Sequence, residues 1–253
     1  MKTKVFYEEL LPHEFTEKIQ ACPVAYLPLG TLEYHGKHLP LGADFIQSSG
    51  LFQLIAEEFG GIVLPPLFLG PDFRHTVDEE SQTHYYGMDV GSVHRDGVLI
   101  DYPDQQLPGS AYYVEEEFFK LLLEKILFQL HRAGFRIVVA HGHGPSSKLF
   151  SSMKEELLQK TGIRCIDCLS DAAGTPLPFQ NDHAGANETS ITMAVRPDLV
   201  DLSVYDAEPE QKPIAVIGAD PRFFSSSGKG ENCLRVTADA VIHKINCALQ
   251  QSA

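Results

Sequence analysis

Apolar residues occur in two alternating patterns along the chain. Short apolar runs, some of them rich in β-branched residues, predict buried strands at 24–29, 62–64 and 135–140, and an alternating stretch predicts a strand at 163–169. Between these runs, apolar residues recur at helical spacing and predict helices at 43–59, 113–133 and 146–161, with a further helical stretch at 188–195. Gly60 and Gly134 are placed to end the first two helices.

Alternating strands and helices favour a largely parallel sheet with helices on both faces. We therefore predict an α/β fold, a single three-layer α/β/α domain spanning residues 1–253. A chain of 253 residues with 43% hydrophobic content can bury one core of this kind, and no Pro/Gly/Ser-rich linker divides it. Residues 71–106 break the pattern, because they are rich in acidic, His and Tyr residues without a clear period. Long loops of this kind are often functional.

The composition narrows the classes of partner. A formal net charge of -14, without any basic stripe, argues against nucleic-acid binding. No apolar run is long enough to span a membrane and the N-terminus lacks a signal peptide, so we expect no membrane association and a cytoplasmic protein. Five cysteines, an odd number, fit reduced thiols. The spacing of Cys165 and Cys168 also suits a redox or zinc site, but the strand-like alternation around them favours buried thiols.

The loop at 30–44 concentrates ligand-type side chains among glycines and a proline. Glu33 and His35 are two residues apart, so in extended backbone both side chains project to the same side. Asp44 follows at a distance that lets a turn return it to the same point. Carboxylates and neutral imidazoles are the ligands that Zn²⁺, Mn²⁺ and similar ions accept. The alternative is an ordinary polar loop in which Asp44 caps the helix that follows.

A second group of histidines, His141 and His143, follows the run at 135–140, where the predicted strand ends. Ligands of open α/β sheets gather at the carboxyl ends of the strands. A glycine-rich turn or a phosphate-binding loop is the alternative. Phosphate loops usually carry Lys or more glycines, and Pro145 removes a donor amide, so the pattern favours a metal site.

The third segment, 182–190, contains Asp182, His183 and Glu188 just before or within a helical stretch. By itself it would be typical of a helix N-terminus whose acidic residues complement the helix dipole. Taken with the other two segments, it indicates a further set of ligands.

Together, the three segments resemble the creatininase (creatinine amidohydrolase) family. Residues 33–44 resemble its signature E-x-H-G-x-H-L-P-L-G-T-D, residues 141–146 fall where the family has N-G-H-G-G-N, and residues 183–190 resemble H-A-G-E-x-E-T-S. Residues 107–110 and 218–222 resemble its F-P-G-T and late G-x-x-G-D-P segments. Relative to the family, residues 71–106 look like an insertion or an enlarged loop near the site.

The resemblance implies a centre of two divalent ions, Zn and/or Mn, with Fe as a further candidate. The implied ligands are Glu33, Asp44 and His143 for the first ion and His35, Asp44 and Glu188 for the second. Asp44 would then bridge the two ions. His183 is implied as the residue that gives a proton to the departing nitrogen. Three further residues are candidates for contact with the substrate or support of the ligands: His38, His141 and Asp182.

Departures from the family pattern bear on the substrate. His141 stands in place of Asn, Pro145-Ser146 in place of Gly-Asn, and Ala186 in place of a Glu. Some members, including those that act on creatinine, supply a carboxylate to the second ion from the position of Pro145. Either Glu188 is the ligand here or the second site is weaker. Creatinine-hydrolysing members also resemble one another in enclosing the ring with tryptophan, and this chain has none. Creatinine is therefore not the expected substrate.

We expect a dinuclear metal-dependent amidohydrolase that acts on non-peptide C–N bonds, cleaving that of a cyclic amide, a formamide or a similar small-molecule substrate. The alternative is a family member that has lost turnover and serves as a metal-binding or small-molecule-binding subunit, for which the altered loop at 141–146 is the only support. The resemblance also implies a homo-oligomer, with a hexamer among the options.

Overall fold

The structure, a computed structural model, describes residues 4–72, 74–78, 83–86, 92–95, 98–101, 109–206, 210 and 213–251, with the backbone alone between 74 and 101. The strands are β1 (Val24–Leu29), β2 (Ile62–Val63), β3 (Arg74–Asp78), β4 (Thr83–Tyr86), β5 (Ser92–Arg95), β6 (Val98–Asp101), β7 (Ile137–Gly142) and β8 (Arg164–Asp167). The helices are α1 (Pro12–Ala21), α2 (Ala43–Glu58), α3 (Glu116–Ala133), α4 (Gly144–Ser152), α5 (Lys154–Thr161), α6 (Ala186–Val195), α7 (Pro221–Phe224) and α8 (Ser227–Gln250). Short 3₁₀ helices lie at Tyr7–Glu9, Pro197–Leu199 and Leu202–Tyr205.

Four strands form one parallel sheet in the order β2-β1-β7-β8. The two central strands pair over their whole length, from Val24 opposite Ile137 to Leu29 opposite Gly142. All six residues of β1 and all six of β7 are buried, as expected for strands covered on both faces. The carboxyl ends of these two strands therefore lie side by side in the middle of the fold. The predicted α/β fold with a parallel sheet is confirmed.

Each face of the sheet has its own apolar core. On one face, Tyr26 of β1 and Val139 of β7 pack with apolar residues of α2, α6 and α8. On the other face, Leu27 and Val138 pack with residues of α3, α4 and α5, and α1 lies against the edge of that cluster. Side chains of this size contribute about 1.5 to 3 kcal/mol each when fully buried. The arrangement is the three-layer α/β/α architecture; the extent of the domain over residues 1–253 stays a prediction.

Several boundaries differ from those predicted. The helix expected at 146–161 begins at Gly144 and is interrupted at Met153, giving α4 and α5. The helix expected from 113 begins at Glu116, and the strand expected at 163–169 covers only Arg164–Asp167. Where the sequence showed no clear period, between 71 and 106, two antiparallel hairpins occur, β3-β4 and β5-β6. Helices α1 and α8 were not predicted.

The buried face of α8 combines small residues with larger apolar ones. A side chain at Gly230 would overlap the backbone of Ser190, so α8 and α6 approach each other closely. The face continues through Cys233, Leu234, Thr237, Ala238, Val241 and Ile245. It packs against α6, the helix that carries Glu188.

The thiols of Cys165 and Cys168 point to opposite faces of the sheet, because Cys165 belongs to one apolar core and Cys168 to the other. Both are buried, and burial raises the pKa of each thiol to about 12. These two cysteines are free thiols, and the expectation of buried thiols is confirmed for this pair.

Asp167 connects helices of both layers at the end of β8. Its Oδ2 accepts hydrogen bonds from Ser151 of α4 at 2.8 Å and from Lys154 of α5 at 2.5 Å. Lys244 of α8 donates to the Asp167 backbone carbonyl at 2.6 Å. Burial alone would raise the pKa of Asp167, but these lysines hold it well below the ordinary value.

Candidate metal centre

The three segments singled out in the sequence meet at the carboxyl end of the central strands. The loop that follows β1 carries Glu33, His35 and Asp44, and Asp44 lies in the first turn of α2. His143 directly follows β7 and precedes α4, while Glu188 lies in the first turn of α6. These five side chains are buried. The site therefore sits where the parallel sheet directs the loops of its two central strands.

His35, Asp44 and Glu188 form one group. His35 Nε2 lies 3.5 Å from Asp44 Oδ1 and 3.5 Å from Glu188 Oε2. The other ring nitrogen, Nδ1, donates to the backbone carbonyl of Glu33 at 3.0 Å. Since a carbonyl only accepts, a neutral His35 presents the lone pair of Nε2 to the two carboxylates. Donating the second ring N–H to a carbonyl is the usual arrangement of a metal-binding histidine.

Glu33 and His143 form the beginning of a second group. His143 Nε2 lies 3.4 Å from Glu33 Oε2 and 3.7 Å from Asp72 Oδ1. The opposite nitrogen of His143, Nδ1, lies 3.4 Å from Ser146 Oγ. Nε2 therefore faces both carboxylates, as His35 Nε2 does in the first group.

The spacing of these atoms fits shared coordination better than direct ion pairing. A charged hydrogen bond between imidazole and carboxylate is about 2.7 to 2.9 Å long. Donor atoms around a tetrahedral ion with bonds of about 2.0 to 2.2 Å are about 3.3 to 3.6 Å apart. His35 Nε2 lies 3.5 Å from an oxygen of Asp44 and of Glu188, and His143 Nε2 lies 3.4 Å from an oxygen of Glu33. All three distances fall in the second range.

Unpartnered polar atoms point to the same conclusion. Among the described residues, His35 Nε2 and Asp44 Oδ2 are buried without a hydrogen-bond partner. Buried polar atoms are rarely left in this state, so each such atom needs an explanation. Within the part of the chain that the structure describes, three residue groups have ligand atoms within 4.8 Å of one another: His35, Asp44 and Glu188; Glu33, Asp72 and His143; and Glu33, His35 and His183. The residues fit a pair of divalent ions.

His183 lies at the edge of this cluster and is its most accessible imidazole, with 14% of the side chain exposed. Its Nε2 donates to the carbonyl of Tyr34 at 3.0 Å, and its Nδ1 lies 3.9 Å from Glu33 Oε2. Two backbone hydrogen bonds with Ile217 form an isolated antiparallel bridge that fixes the backbone of His183. Burial and the neighbouring His35 lower the pKa of His183 to about 3.

The electrostatics of the cluster are dominated by its buried carboxylates. Burial alone would lower the pKa of His35, but Asp44 and Glu188 raise it well above the ordinary value. Burial would raise the pKa of Asp44, but His35 lowers it. Burial raises the pKa of Glu188 to about 8. His143 has less compensation, and burial lowers its pKa to about 4. A cation placed among these groups would favour the charged carboxylates and the neutral imidazoles.

His38 supports the loop and does not belong to any of the three ligand groups. Its Nδ1 pairs with the hydroxyl of Tyr205 at 3.0 Å and its Nε2 with Thr189 Oγ1 at 2.8 Å. The Tyr205 hydroxyl also accepts the backbone N–H of Lys37 at 3.0 Å. His38 therefore links the loop after β1 to α6, next to Glu188.

Asp182 positions the helix that carries Glu188. Its carboxylate accepts the backbone N–H of Asn187 at 2.8 Å and that of Glu188 at 3.1 Å. Glu188 Oε2 in turn accepts the backbone N–H of Ala184 at 2.7 Å. The helix-terminus interpretation of this segment therefore describes Asp182 well, while Glu188 points into the cluster.

The structure does not bring His141 into the ligand groups. Its ring packs near that of Phe179, with centroids 5.5 Å apart, and burial lowers its pKa to about 4. His141 pairs in register with Pro28 of β1, one step before the strands end. His141 therefore lies within β7 itself, and its predicted contact with the substrate or the ligands stays a prediction.

Asp72 was not among the site residues predicted from the sequence. The residue lies just after Gly70 and Pro71, at the start of the segment without a clear period, and belongs to none of the three motifs. A carboxylate nine residues after the second strand, beside a glycine and a proline, was the only signal that could have indicated it.

The sequence is similar to that of proteins whose activities are known. The profile of the creatininase family, described as creatinine amidohydrolase, matches residues 8–243. The creatinine amidohydrolase of Pseudomonas putida is 27% identical over 279 residues, covering 97% of each protein. The mycofactocin precursor peptide peptidase of Mycolicibacterium smegmatis is 22% identical over 178 residues, covering 70% of this chain and 59% of that protein.

Solved structures share the fold. A crystal structure of creatinine amidohydrolase (creatininase) matches with a TM-score of 0.70 at 23% identity, covering 97% of this chain and 98% of that one. A Mn creatininase and a Zn-Zn type mutant creatininase each match with a TM-score of 0.67, covering 96% of this chain and 98% of the other. Since the family profile spans most of the sequence, the chain belongs to the creatininase family of amidohydrolases.

Proposed function

We propose that this protein is a dinuclear metal-dependent amidohydrolase that cleaves a C–N bond of a cyclic amide, a formamide or a similar small substrate other than creatinine. One observation carries the proposal. Carboxylates and imidazoles from three distant segments converge, buried, with their ligand atoms 3.4 to 3.5 Å apart in the two principal groups.

Zinc and manganese are the proposed ions. Mixed oxygen and nitrogen ligands suit both. The family relatives of known structure include a manganese form and a Zn-Zn form. Glu33 and His143 would hold the first ion, and His35 and Glu188 the second. Asp44 Oδ1 faces His35, and its Oδ2 has no hydrogen-bond partner among the described residues, so this carboxylate is free to bridge.

Two bound divalent ions would supply a water of lowered pKa and a polarised substrate carbonyl. The chain supplies the proton transfers. Because His183 Nε2 is committed to the Tyr34 carbonyl, only Nδ1 faces the cluster. Nδ1 can take a proton from the attacking water and then give it to the departing nitrogen. Without that proton, the amide nitrogen would be a very poor leaving group.

Access to the cluster is from the side of His183. The other two imidazoles of the ligand groups, His35 and His143, are at most 3% exposed, whereas His183 is 14% exposed. A substrate approaching along that side would meet the Nδ1 atom of His183 next to Glu33. This order places the proton-transfer group between the substrate and the buried ligands.

Two observations bear on the choice of candidate substrates. The chain contains no tryptophan, so it has no indole with which to enclose a creatinine ring. The mycofactocin precursor peptide peptidase, which is 22% identical to the chain over 178 residues, supports the inclusion of short peptides among the amides to be tested.

An inactive metal-binding or small-molecule-binding subunit is the second candidate. Its support is the departure at 141–146, where His141 lies outside the ligand groups and Pro145 has no carboxylate. The retained ligands on all three segments favour the enzyme, since a site under no catalytic constraint has no reason to keep Glu33, His143 and Glu188 together.

A substrate screen tests the proposal. The protein reconstituted with Mn²⁺ or Zn²⁺ is assayed against lactams, formamides, cyclic ureas, creatinine and short peptides. Turnover of at least one small amide, lost together with bound metal in His143→Ala, would support it. A protein that holds two ions and turns over none of these classes would favour the binding subunit.

A further inference from the structure

Asp72 reaches the cluster from a fourth segment, the loop that follows β2. Its side chain is only 1% exposed, and its Oδ1 lies 3.7 Å from His143 Nε2. Glu33 approaches the same nitrogen to 3.4 Å. The ligand atoms of Asp72, Glu33 and His143 all lie within 4.8 Å of one another. Two carboxylates from different loops therefore lie near the same imidazole nitrogen.

The backbone around Gly70 fixes this approach. Gly70 lies against Gly30 and Ser146 so closely that an added side chain would overlap both. Its carbonyl accepts the N–H of Val114 at 3.0 Å, which joins the loop to the segment before α3. Ser146 Oγ donates to the Gly30 carbonyl at 2.7 Å and completes the contact. Gly70, two residues before Asp72, is thus held against the first turn of α4.

The distance to His143 identifies the role of the carboxylate. At 3.7 Å, Asp72 is too far to accept a hydrogen bond from His143. It is close to the separation of about 3.3 to 3.6 Å expected for two ligands of one tetrahedral ion. A residue that only oriented the ring would instead be expected at Nδ1, which lies near Ser146 Oγ.

We propose that Asp72 is a ligand of the ion held by Glu33 and His143. The inference rests on the proposed function and adds to it a ligand that none of the three motifs contains. It gives this ion two carboxylates and one imidazole before Asp44 is counted, an oxygen-rich set that favours Mn²⁺ over softer ions.

Metal binding by variants tests the assignment. Asp72→Asn keeps the shape of the side chain and removes the charge. Asp198→Asn is the control, since Asp198 is exposed and forms a surface ion pair with Arg196. Elemental analysis and Mn²⁺ titration calorimetry should show two ions in the wild type and the control. In Asp72→Asn, one site should weaken by at least about 100-fold, more than the loss of an outer partner of a ligand.

Each result has a distinct meaning. Two ions of unchanged affinity in Asp72→Asn would overturn the role of Asp72 and leave the dinuclear hydrolase standing. A wild-type protein that binds no divalent ion would overturn both.

A spectroscopic variant decides the case in which Asp72→Asn folds poorly. In Asp72→Cys loaded with Co²⁺, a thiolate in direct contact with the ion should add a sulfur-to-cobalt charge-transfer band. Asp198→Cys should lack the band, because the exposed position is outside the cluster. A folded, cobalt-loaded Asp72→Cys protein without the band would show that position 72 does not touch the ion.

Discussion

The imidazole of His183 lies against that of His35, with ring centroids 4.5 Å apart and ring planes inclined by 31°. The two rings nevertheless present different nitrogens to the cluster. His35 donates Nδ1–H to Glu33 and presents Nε2, while His183 donates Nε2–H to Tyr34 and presents Nδ1. Of these two rings, only that of His35 has a nitrogen 3.5 Å from each of two carboxylates. We therefore propose that His35 binds a metal ion and that His183 moves a proton.

The first prediction follows from this division. His183→Ala should retain its bound metal and lose about 10² to 10⁴ in kcat, the usual contribution of general acid-base catalysis. Metal content and steady-state kinetics are measured on the same preparation. A substrate whose leaving nitrogen has a low pKa should partly rescue the variant, since such a group needs less help from an acid.

Other outcomes for His183→Ala would assign the residue differently. Loss of metal would make it a ligand, in agreement with the contact of its Nδ1 with Glu33. Reduced stability with an unchanged rate per folded molecule would leave it a structural role beside Ile217.

The second prediction concerns stoichiometry and the bridging role of Asp44. The reconstituted wild type should hold close to two divalent ions per chain, because its ligands exceed what one tetrahedral site needs. Asp44→Ala should hold fewer ions and show a large loss of activity. Elemental analysis after dialysis measures the ratio. A chain that holds a single ion, still in place in Asp44→Ala, would exclude the dinuclear centre.

The third prediction concerns the contact between Tyr205 and His38. Tyr205→Phe removes the hydroxyl that pairs with His38 Nδ1 and accepts the N–H of Lys37, without changing any proposed ligand. The free energy of unfolding should fall by about 1 to 3 kcal/mol, and metal affinity by about 10-fold, because the loop that carries the ligands is less well oriented. Denaturant unfolding and metal titration measure the two effects. Tyr7→Phe, at an exposed position, is the control and should change neither.

The fourth prediction concerns Asp167, far from the cluster. Its pKa is lowered in the folded chain, so its stabilising effect is present above the unfolded value, about pH 4, and is lost as the pH falls toward the folded value. Asp167→Asn should lower the free energy of unfolding at pH 7 by about 2 to 3 kcal/mol, since Lys154 can still reach water. The difference from wild type should shrink below about pH 4. Urea unfolding at both pH values tests this, and a pH-independent difference would contradict it.

The fifth prediction concerns assembly. We propose a homo-oligomer, as is general for soluble enzymes with closed symmetry. Light scattering at micromolar concentration should give a mass that is a multiple of the 28.0 kDa chain. A species of single-chain mass across the concentration range would refute the proposal.

The central strands and the first two motifs could be predicted from the sequence because their signals are local. The run at 24–29 is uninterrupted, and the run at 135–140 is interrupted only by Arg136. Ligand-type side chains follow both runs, beginning at Glu33 and at His141. Since parallel strands end at one edge, these signals also place the two motifs together. Among the described residues, the structure brings His35 and Glu188 together, although 153 positions separate them in the sequence.

Features that depend on tertiary contact could not be predicted in this way. Asp72 reaches His143 only because Gly70 packs against Ser146, a contact that leaves no periodic signal. The close approach of Gly230 to Ser190 is likewise a contact between two helices that are distant in the sequence. His141 lies in β7 and outside the three ligand groups found among the described residues, so its predicted contact with the substrate or the ligands stays a prediction.

The burial of Asp44 and Glu188 on either side of His35 links the chemistry of this chain to its folding. In the metal-free chain, one imidazole must offset carboxylates that are hidden from water, and burial holds the pKa of Glu188 above its ordinary value. Bound cations would relieve that repulsion and so would act as part of the core. Replacing a carboxylate by a neutral residue would make the metal-free fold easier to keep and the ions harder to hold. Stability without metal and affinity for metal are therefore in conflict at these positions, and selection for one is selection against the other.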